Sequence, residues 1–317
     1  MERFKNETDR GKRLIDLHMH SINSDGEESP QEVLRKAAEA GLSLISITDH
    51  NDFTFTECQQ YKGLKIVPGI ELSAEYRVSA WNETTEVHIV GIFPDGVNPA
   101  DFNRILINVG EGKEKYVRAI LEDLDTRGIH ITLEEVLAVE RKCRHIGRHD
   151  IAKVLVGKGI EPNIDAAFDH QIGNFSPYYI PSTRYLHYAP MKDIVCQIIA
   201  SGGIPILAHP YGYCMNEAEI EQLVVDFKEA AMGHDFDSVN LSSDKLFTAG
   251  MEVYYQRYLD EPDTHRFEFL RKLQEKYGLL ASAGSDRHRP YQPFCSGGDY
   301  CLFEKMVQSL HGEKVRR

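Results

Sequence analysis

The sequence predicts an α/β fold on a largely parallel sheet, and three observations carry that expectation. Short β-rich runs alternate with amphipathic helical stretches in both end regions of the chain. A His, Asp or Glu stands at or near the end of one run after another, and the middle segment reads mostly as helix. The chain has 317 residues, 42% of them hydrophobic and 27% charged, which is ordinary globular usage and enough for a sizeable core.

Leu14–His20 is the first expected strand. Period 2 puts Asp16, His18 and His20 on one face and Ile15, Leu17 and Met19 on the other. Pro30 opens a helix with Ser29 as its N-cap, Val33, Leu34, Ala37, Ala38 and Leu42 recur at helical spacing, and Gly41 ends it. Further apolar runs follow. Leu44–Thr48 leads into Asp49-His50, Lys65–Ile70 ends in Glu71, and Glu86–Phe93 carries His88. Ile204–Ala208 ends in His209-Pro210, Gly250–Tyr255 carries Glu252, and Leu279–Ala283 leads to Ser285-Asp286-Arg287-His288. Barrel enzymes build their sites from the C-terminal edge of their strands. Between these regions Gly112–Arg127, Thr132–Glu140 and Asp150–Lys158 read as helices. The division expected is therefore 1–97 and 194–317 for the strand-rich part, with 98–193 as an inserted helical cap.

Composition excludes several functions. Lys+Arg 36 against Asp+Glu 49 leaves a net charge of −13, which argues against a dedicated binder of long DNA or RNA. The opening MERFKNETDRGKR is polar and lacks the apolar core of a signal peptide, and no apolar stretch is long enough to span a membrane. Six cysteines at 58, 143, 196, 214, 295 and 301 form no C-x-x-C, so a reducing, cytoplasmic setting is expected. Histidine is the unusual count, at fourteen.

Asp16-Leu17-His18-Met19-His20 followed by Ser24-Asp25-Gly26 is the strongest chemical signal. Histidines at i and i+2 of a strand project the same way, so both imidazoles can reach one metal ion at about 2.0–2.1 Å. A lone H-x-H pair is as a rule a surface feature. Here the other strand ends supply His50, Glu71, His88, His209, Asp286 and His288, and the set reads as a metal centre. Asp49 is either an orienter of His50 or a satisfied turn residue, and Glu252 reads as an inner residue that is not itself a ligand.

Together these motifs resemble the polymerase-and-histidinol-phosphatase (PHP) phosphoesterases over roughly residues 14–95 and 200–290. The resemblance implies a distorted (β/α)7 barrel with two to three divalent ions, Mn, Fe or Zn, at the strand C-termini. It implies that His18, His20, Glu71 and Asp286 hold the first ion and that Glu71 bridges to a second completed by His88 and His209. Asp25, His50 and His288 would hold the third. Asp25 in its S-D-G setting resembles the branch acting on nucleotides and RNA ends. Three divalent ions against three carboxylates leave about +3, and a bridging hydroxide about +2, an electropositive hole suited to a phosphate ester. The nucleophile implied is the metal-bound hydroxide, with no Ser or Cys nucleophile.

In the expected cap, Arg141, Lys142, Arg144, Arg148, Lys153 and Lys158 with Asp150 make a +5 run across 18 residues. Such a run is usually a solvated face. Gly147-Arg148 with Ile151-Ala152 nevertheless resembles the G-R-x-H-[IL]-A segment whose Arg and His contact phosphate in nucleotide-acting PHP enzymes. Arg148 would bind phosphate bidentately, with His149 as a second candidate contact, while Asp150 stands where the family has His. Tyr178, Tyr179, Tyr185 and Tyr188 either stack on a base or pack the cap. The expected function is metal-dependent hydrolysis of a phosphate ester of a nucleotide or short oligonucleotide end, as a 5′-phosphate or a 3′,5′-bisphosphate. Two alternatives stand beside it, a phosphatase for histidinol phosphate or another small metabolite, and a non-catalytic metal-binding PHP module.

Overall fold

The computed structural model describes residues 13–81, 83–139, 145–173, 176–233 and 248–311. Contacts divide the chain into two units, one running to Asp101 and resuming at Ala189, the other Phe102–Tyr188. The first unit begins with β1 (Ile15–Asp16) and α1 (Pro30–Glu39). Ser29 and Glu32 form a reciprocal capping box at the start of α1. Gly41, at φ +80°, ends the helix by letting the Gly41 and Leu42 N–H groups reach back to the Ala38 and Ala37 carbonyls. β2 (Leu44–Ile45), β3 (Gln59–Tyr61) and β4 (Leu64–Ile66) complete a sheet in the order β1-β2-β4-β3, parallel except for the β3–β4 pair.

β5 (Gly69–Val78) and β6 (Glu83–Ile92) are long strands paired antiparallel along their whole length. At these strands the structure departs from the largely parallel sheet expected. Glu71 lies near the start of β5, and His88 lies within β6 opposite Ser73. The reason is local. Val67-Pro68 separates β4 from β5, and the few residues between Val78 and Glu83 are too short for a crossover, so only an antiparallel return is possible.

The second unit contains α2 (Asn103–Thr126), α3 (Leu133–Ala138), α4 (Arg148–Gly157) and α5 (Ile164–Ala167). It has its own core, with Val117, Ile120, Leu124, Val136, Ile151 and Leu155 buried. α2 starts at Asn103, ahead of the expected Gly112, because Leu106 and Val109 already bury an apolar stripe. Arg141, Lys142 and Arg144 lie outside the described residues.

The first unit resumes with α6 (Met191–Ala200), β7 (Ile204–Leu207), α7 (Glu217–Met232), β8 (Gly250–Tyr255), α8 (Gln256–Leu259), α9 (His265–Tyr277), β9 (Leu280–Gly284) and α10 (Tyr300–Leu310). Ala189 and Pro190 already belong to it, because the Glu75 N–H donates to the Ala189 carbonyl and Glu75 bridges Pro190. The second sheet runs β5-β6-β7-β8-β9, antiparallel at β6–β7 and parallel from β7 to β9. Ile15, Leu17, Val90, Ile92, Ile204 and Ile206 pack together with Phe303 and Met306 of α10, and a second cluster joins α1 to Met19, Ile45 and Ile66. The regular part of the expected Leu14–His20 strand is only β1, and both of its side-chain sets are buried. Regular pairing stops where the site begins. The sheets meet there through single bridges, Met19 with Arg287 and His50 with Glu71. Among the described residues no helix is long and apolar enough to cross a membrane.

Candidate active site and metal centre

Glu71, fully buried on β5, is the hub. Its Oε1 lies 2.9 Å from His88 Nδ1, 3.1 Å from His209 Nε2 and 3.3 Å from His18 Nε2. Its Oε2 lies 2.9 Å from His50 Nδ1 and 3.2 Å from His20 Nε2. Despite that company Oε2 has no hydrogen bond of acceptable geometry. His18 Nε2 and His20 Nε2 also face each other at 3.2 Å, with Asp286 Oδ1 3.1 Å from the second. A proton can satisfy only one of these contacts at a time, whereas a divalent ion satisfies all of them.

The donors fall into four overlapping groups whose atoms lie within 4.8 Å of one another. They are His18, His20 and Asp286; His18, Glu71 and His209; His50, Glu71 and His88; and His20, Asp25, His50 and His288. The structure thus brings together all nine residues expected from the sequence, and among the described residues these groups contain no others. The grouping differs in detail from the expected one, since His50 reaches Glu71 as well as the Asp25 cluster. Hard carboxylate oxygens mixed with imidazoles suit Mn, Fe or Zn, so the residues fit such ions.

Neighbouring residues hold these donors in place. His18 Nδ1 is 2.8 Å from Glu252 Oε1, and Glu252 Oε2 accepts from the His209 N–H at 2.7 Å. Donating Nδ1–H to that carboxylate would leave His18, once its Nε2 proton is released, with a bare Nε2 facing the centre. Gly284 makes the contact possible, because a Cβ there would sit 2.3 Å from Glu252 Oε1 and 2.6 Å from His18 Cβ. Glu86 Oε1 lies 3.1 Å from His88 Nε2, and Tyr255 donates to Asp286 Oδ2 at 2.8 Å. Asp49 accepts from the Ser21 N–H and Oγ, from Ser24 Oγ and from Thr54 Oγ1. It therefore anchors the loop carrying Asp25. Asp16 accepts from the Ser285 and Cys295 N–H groups, which fixes the approach to Asp286. His209 and Asp286 take positive φ, +24° and +51°, a backbone cost concentrated at the site.

Charge follows this geometry. Burial works against imidazolium at His20 and His88, but it is outweighed by Asp286, Glu71 and Asp25 at the first and by Glu71 and Glu86 at the second. Both are lifted to about 10. Burial opposes ionisation of Glu71, Asp25 and Asp286 as well, and the surrounding histidines hold all three below the usual carboxylate range.

The PHP domain model matches residues 16–300, the span carrying every one of these donors. The chain belongs to the PHP domain family. It is 30% identical over 282 residues to a Chromobacterium violaceum 3′,5′-nucleoside bisphosphate phosphatase, covering 87% of each protein. It is 27% identical to a Haemophilus influenzae 5′-3′ exoribonuclease, covering 88% of this chain and 91% of that protein. Among solved structures it resembles a sulfate-bound, metal-free amidohydrolase from Chromobacterium violaceum, with a TM-score of 0.66, 25% identity, and 93% and 96% of the two chains covered. Family membership together with this donor set makes this PHP protein a metal-dependent phosphoric ester hydrolase.

The expected substrate contacts belong to the second unit. In the second unit Arg148 opens α4, donates to the Ile172 carbonyl at 3.3 Å and lies beside the rings of Phe168, Tyr116 and Tyr179. His149 is exposed. Asp150 is buried at 3% exposure, and its carboxylate accepts from the Gly147 N–H at 3.0 Å. It thereby caps α4 at the position where the family segment has His. Tyr185 and Tyr188 pack on the second unit's core, and Arg127 lies over the Tyr178 ring, 3.9 Å from its centroid. Sequence reading missed Glu86, although it stands two residues before His88 on one strand face, the same spacing that exposed His18 and His20. It also missed Arg257 and Arg266, which line the cavity containing the centre.

Proposed function

We propose that this PHP enzyme removes a phosphate from a nucleotide or from the end of a short oligonucleotide, as a 5′-phosphate or a 3′,5′-bisphosphate. The observation that carries the reading is the convergence of buried histidines and carboxylates on Glu71, within a cavity of about 580 Å³ that has room for a whole small molecule. The names of the Chromobacterium and Haemophilus relatives support the nucleotide and RNA-end substrate class, and the sulfate in the similar structure supports an oxyanion as ligand.

His18, His20, Glu71 and Asp286 would hold one ion, Glu71, His88 and His209 a second, and Asp25, His50 and His288 a third. Ions bound there lower the pKa of bound water toward ~7 and draw charge from phosphoryl oxygens. The chain's own residues supply orientation. Glu252 and Glu86 fix the ring nitrogens that His18 and His88 present, Tyr255 steadies Asp286, and Asp49 holds the Asp25 loop. Arg148 and His149 are proposed as phosphate contacts on the resemblance of their segment, and Phe102–Tyr188 as the insertion that selects substrate. The two sheets bridged at Met19–Arg287 and His50–Glu71 support a distorted PHP-type barrel. The five described cysteines are unbridged, which supports a reducing compartment such as the cytoplasm.

The test is phosphate release with Mn²⁺ across nucleoside 5′-monophosphates, 3′,5′-bisphosphates, short 5′-phosphorylated RNA and histidinol phosphate. Preference for a nucleotide or RNA end is expected. Preference for histidinol phosphate, or no turnover of any of them, would overturn the reading.

A further inference from the structure

The cavity that contains the metal centre has a second, chemically different wall. Arg257, Arg266, Tyr211 and Tyr258 line it alongside His209 and Asp286. The two guanidinium groups are not equivalent. Arg266 is ion-paired with Glu261 at 2.8 Å and lies over the Tyr211 ring, 5.2 Å from its centroid. Arg257 is exposed and makes no ion pair or hydrogen bond through its side chain among the described residues. Arg257 thus brings an unpaired cation to the cavity wall of a chain whose net charge is −13.

Its backbone is also held. Gln256, just before it, is 6% exposed, accepts from the Ser296 N–H and hydroxyl at 2.7 and 3.0 Å, and donates to Asp260 at 2.8 Å. Tyr258, just after it, is 4% exposed and packs on Tyr255 with centroids 4.6 Å apart, while Tyr255 holds Asp286. Arg257 therefore projects from a turn pinned on both sides and continuous with a residue of the centre, an arrangement that reduces the ordering cost of binding an anion. The carboxylates on the same cavity are already engaged, Glu71 and Asp286 by the histidines and Glu86 by His88. Asp150, buried as a helix cap, supplies no cation where the family segment has His.

We infer that Arg257 is a specificity residue, receiving a second anionic group of a phosphorylated substrate whose scissile phosphate sits at the His/Asp/Glu centre. The inference rests on the phosphoesterase reading above and adds the residue that selects, within it, small phosphate esters bearing a further phosphoryl group. The test compares adenosine 3′,5′-bisphosphate with adenosine 5′-monophosphate on Mn²⁺-loaded wild type, Arg257→Met and Arg257→Lys. The ratio of kcat/KM for bisphosphate over monophosphate is expected to fall about tenfold or more in Arg257→Met and to recover in part in Arg257→Lys. An unchanged ratio in a folded Arg257→Met protein, judged by its melting temperature, would overturn the inference. Should wild type hydrolyse neither compound, calorimetric titration of the intact bisphosphate still decides the subsite. Weaker binding to Arg257→Met supports it, and equal binding to both proteins removes it.

Discussion

Glu71 carries more of this site than any other single side chain, because five imidazoles face its two oxygens within 3.3 Å. Glu71→Gln keeps the shape but removes the negative charge that offsets neighbouring cations. Activity is expected to disappear and bound metal to fall, by more than in His288→Ala, where the residue lost serves only the Asp25 group. Metal analysis and kinetics on both variants check this, and a Glu71→Gln enzyme with normal turnover would be incompatible with the assignment. Gly284 gives a subtler test. An added methyl has no room between Glu252 and His18, so Gly284→Ala must push the carboxylate off the imidazole or displace β9. A loss of order 1–3 kcal/mol in stability is expected, with weaker metal binding, as for other overpacked interiors. Thermal melts with and without Mn²⁺ would show it, and an unchanged metal-dependent shift would mean that Glu252 does not orient His18.

Segments with their own chemical punctuation were legible in advance, and those governed by partners were not. Ser29, Pro30 and Gly41 announce α1, and the apolar runs announce β7 and β8 at nearly their observed bounds. His18, His20, His50, Glu71, His88, His209, Asp286 and His288 could be located because they end, follow or interrupt apolar runs, whereas Asp25 rested on the resemblance of its S-D-G setting to the family. Direction was not legible. A run such as Lys65–Ile70 does not say whether its neighbour runs parallel, and only the short return after Val78 forces the β5–β6 pair antiparallel. Nor does sequence show which polar atoms a buried carboxylate will meet. Asp150, for one, stands out in sequence only as a departure from the family's His, and its capping of α4 shows only in the structure. Asp150→Ala leaves the Gly147 N–H without that acceptor and should cost about 0.5–2 kcal/mol, with metal content unchanged. Chemical denaturation and metal analysis of that variant separate the two roles, since metal loss would tie Asp150 to the centre.

At the scale of the whole molecule, the centre couples stability to pH with opposite signs in its metal-free and metal-loaded forms. Without ions, His20 and His88 are held as imidazolium up to about 10, above their unfolded value of about 6.5. Their contribution is complete below about pH 6.5 and is lost as pH rises toward 10. Glu71, Asp25 and Asp286 are depressed, so their contribution is present above the ordinary carboxylate range, about pH 4, and is lost as pH falls below it. The metal-free protein should therefore be most stable between roughly pH 4.5 and 6.5. Metal binding requires the same imidazoles unprotonated, so affinity grows with pH while the metal-free fold weakens. The gap in melting temperature between Mn²⁺-loaded and chelator-treated protein is thus expected to widen steadily from about pH 6 to about pH 9. Calorimetry at pH 7 in buffers of different ionisation enthalpy should report proton release on Mn²⁺ binding, because His20 and His88 must each give up a proton. A gap that stays constant or narrows with pH, together with binding that releases no protons, would mean that these histidines do not hold the metal.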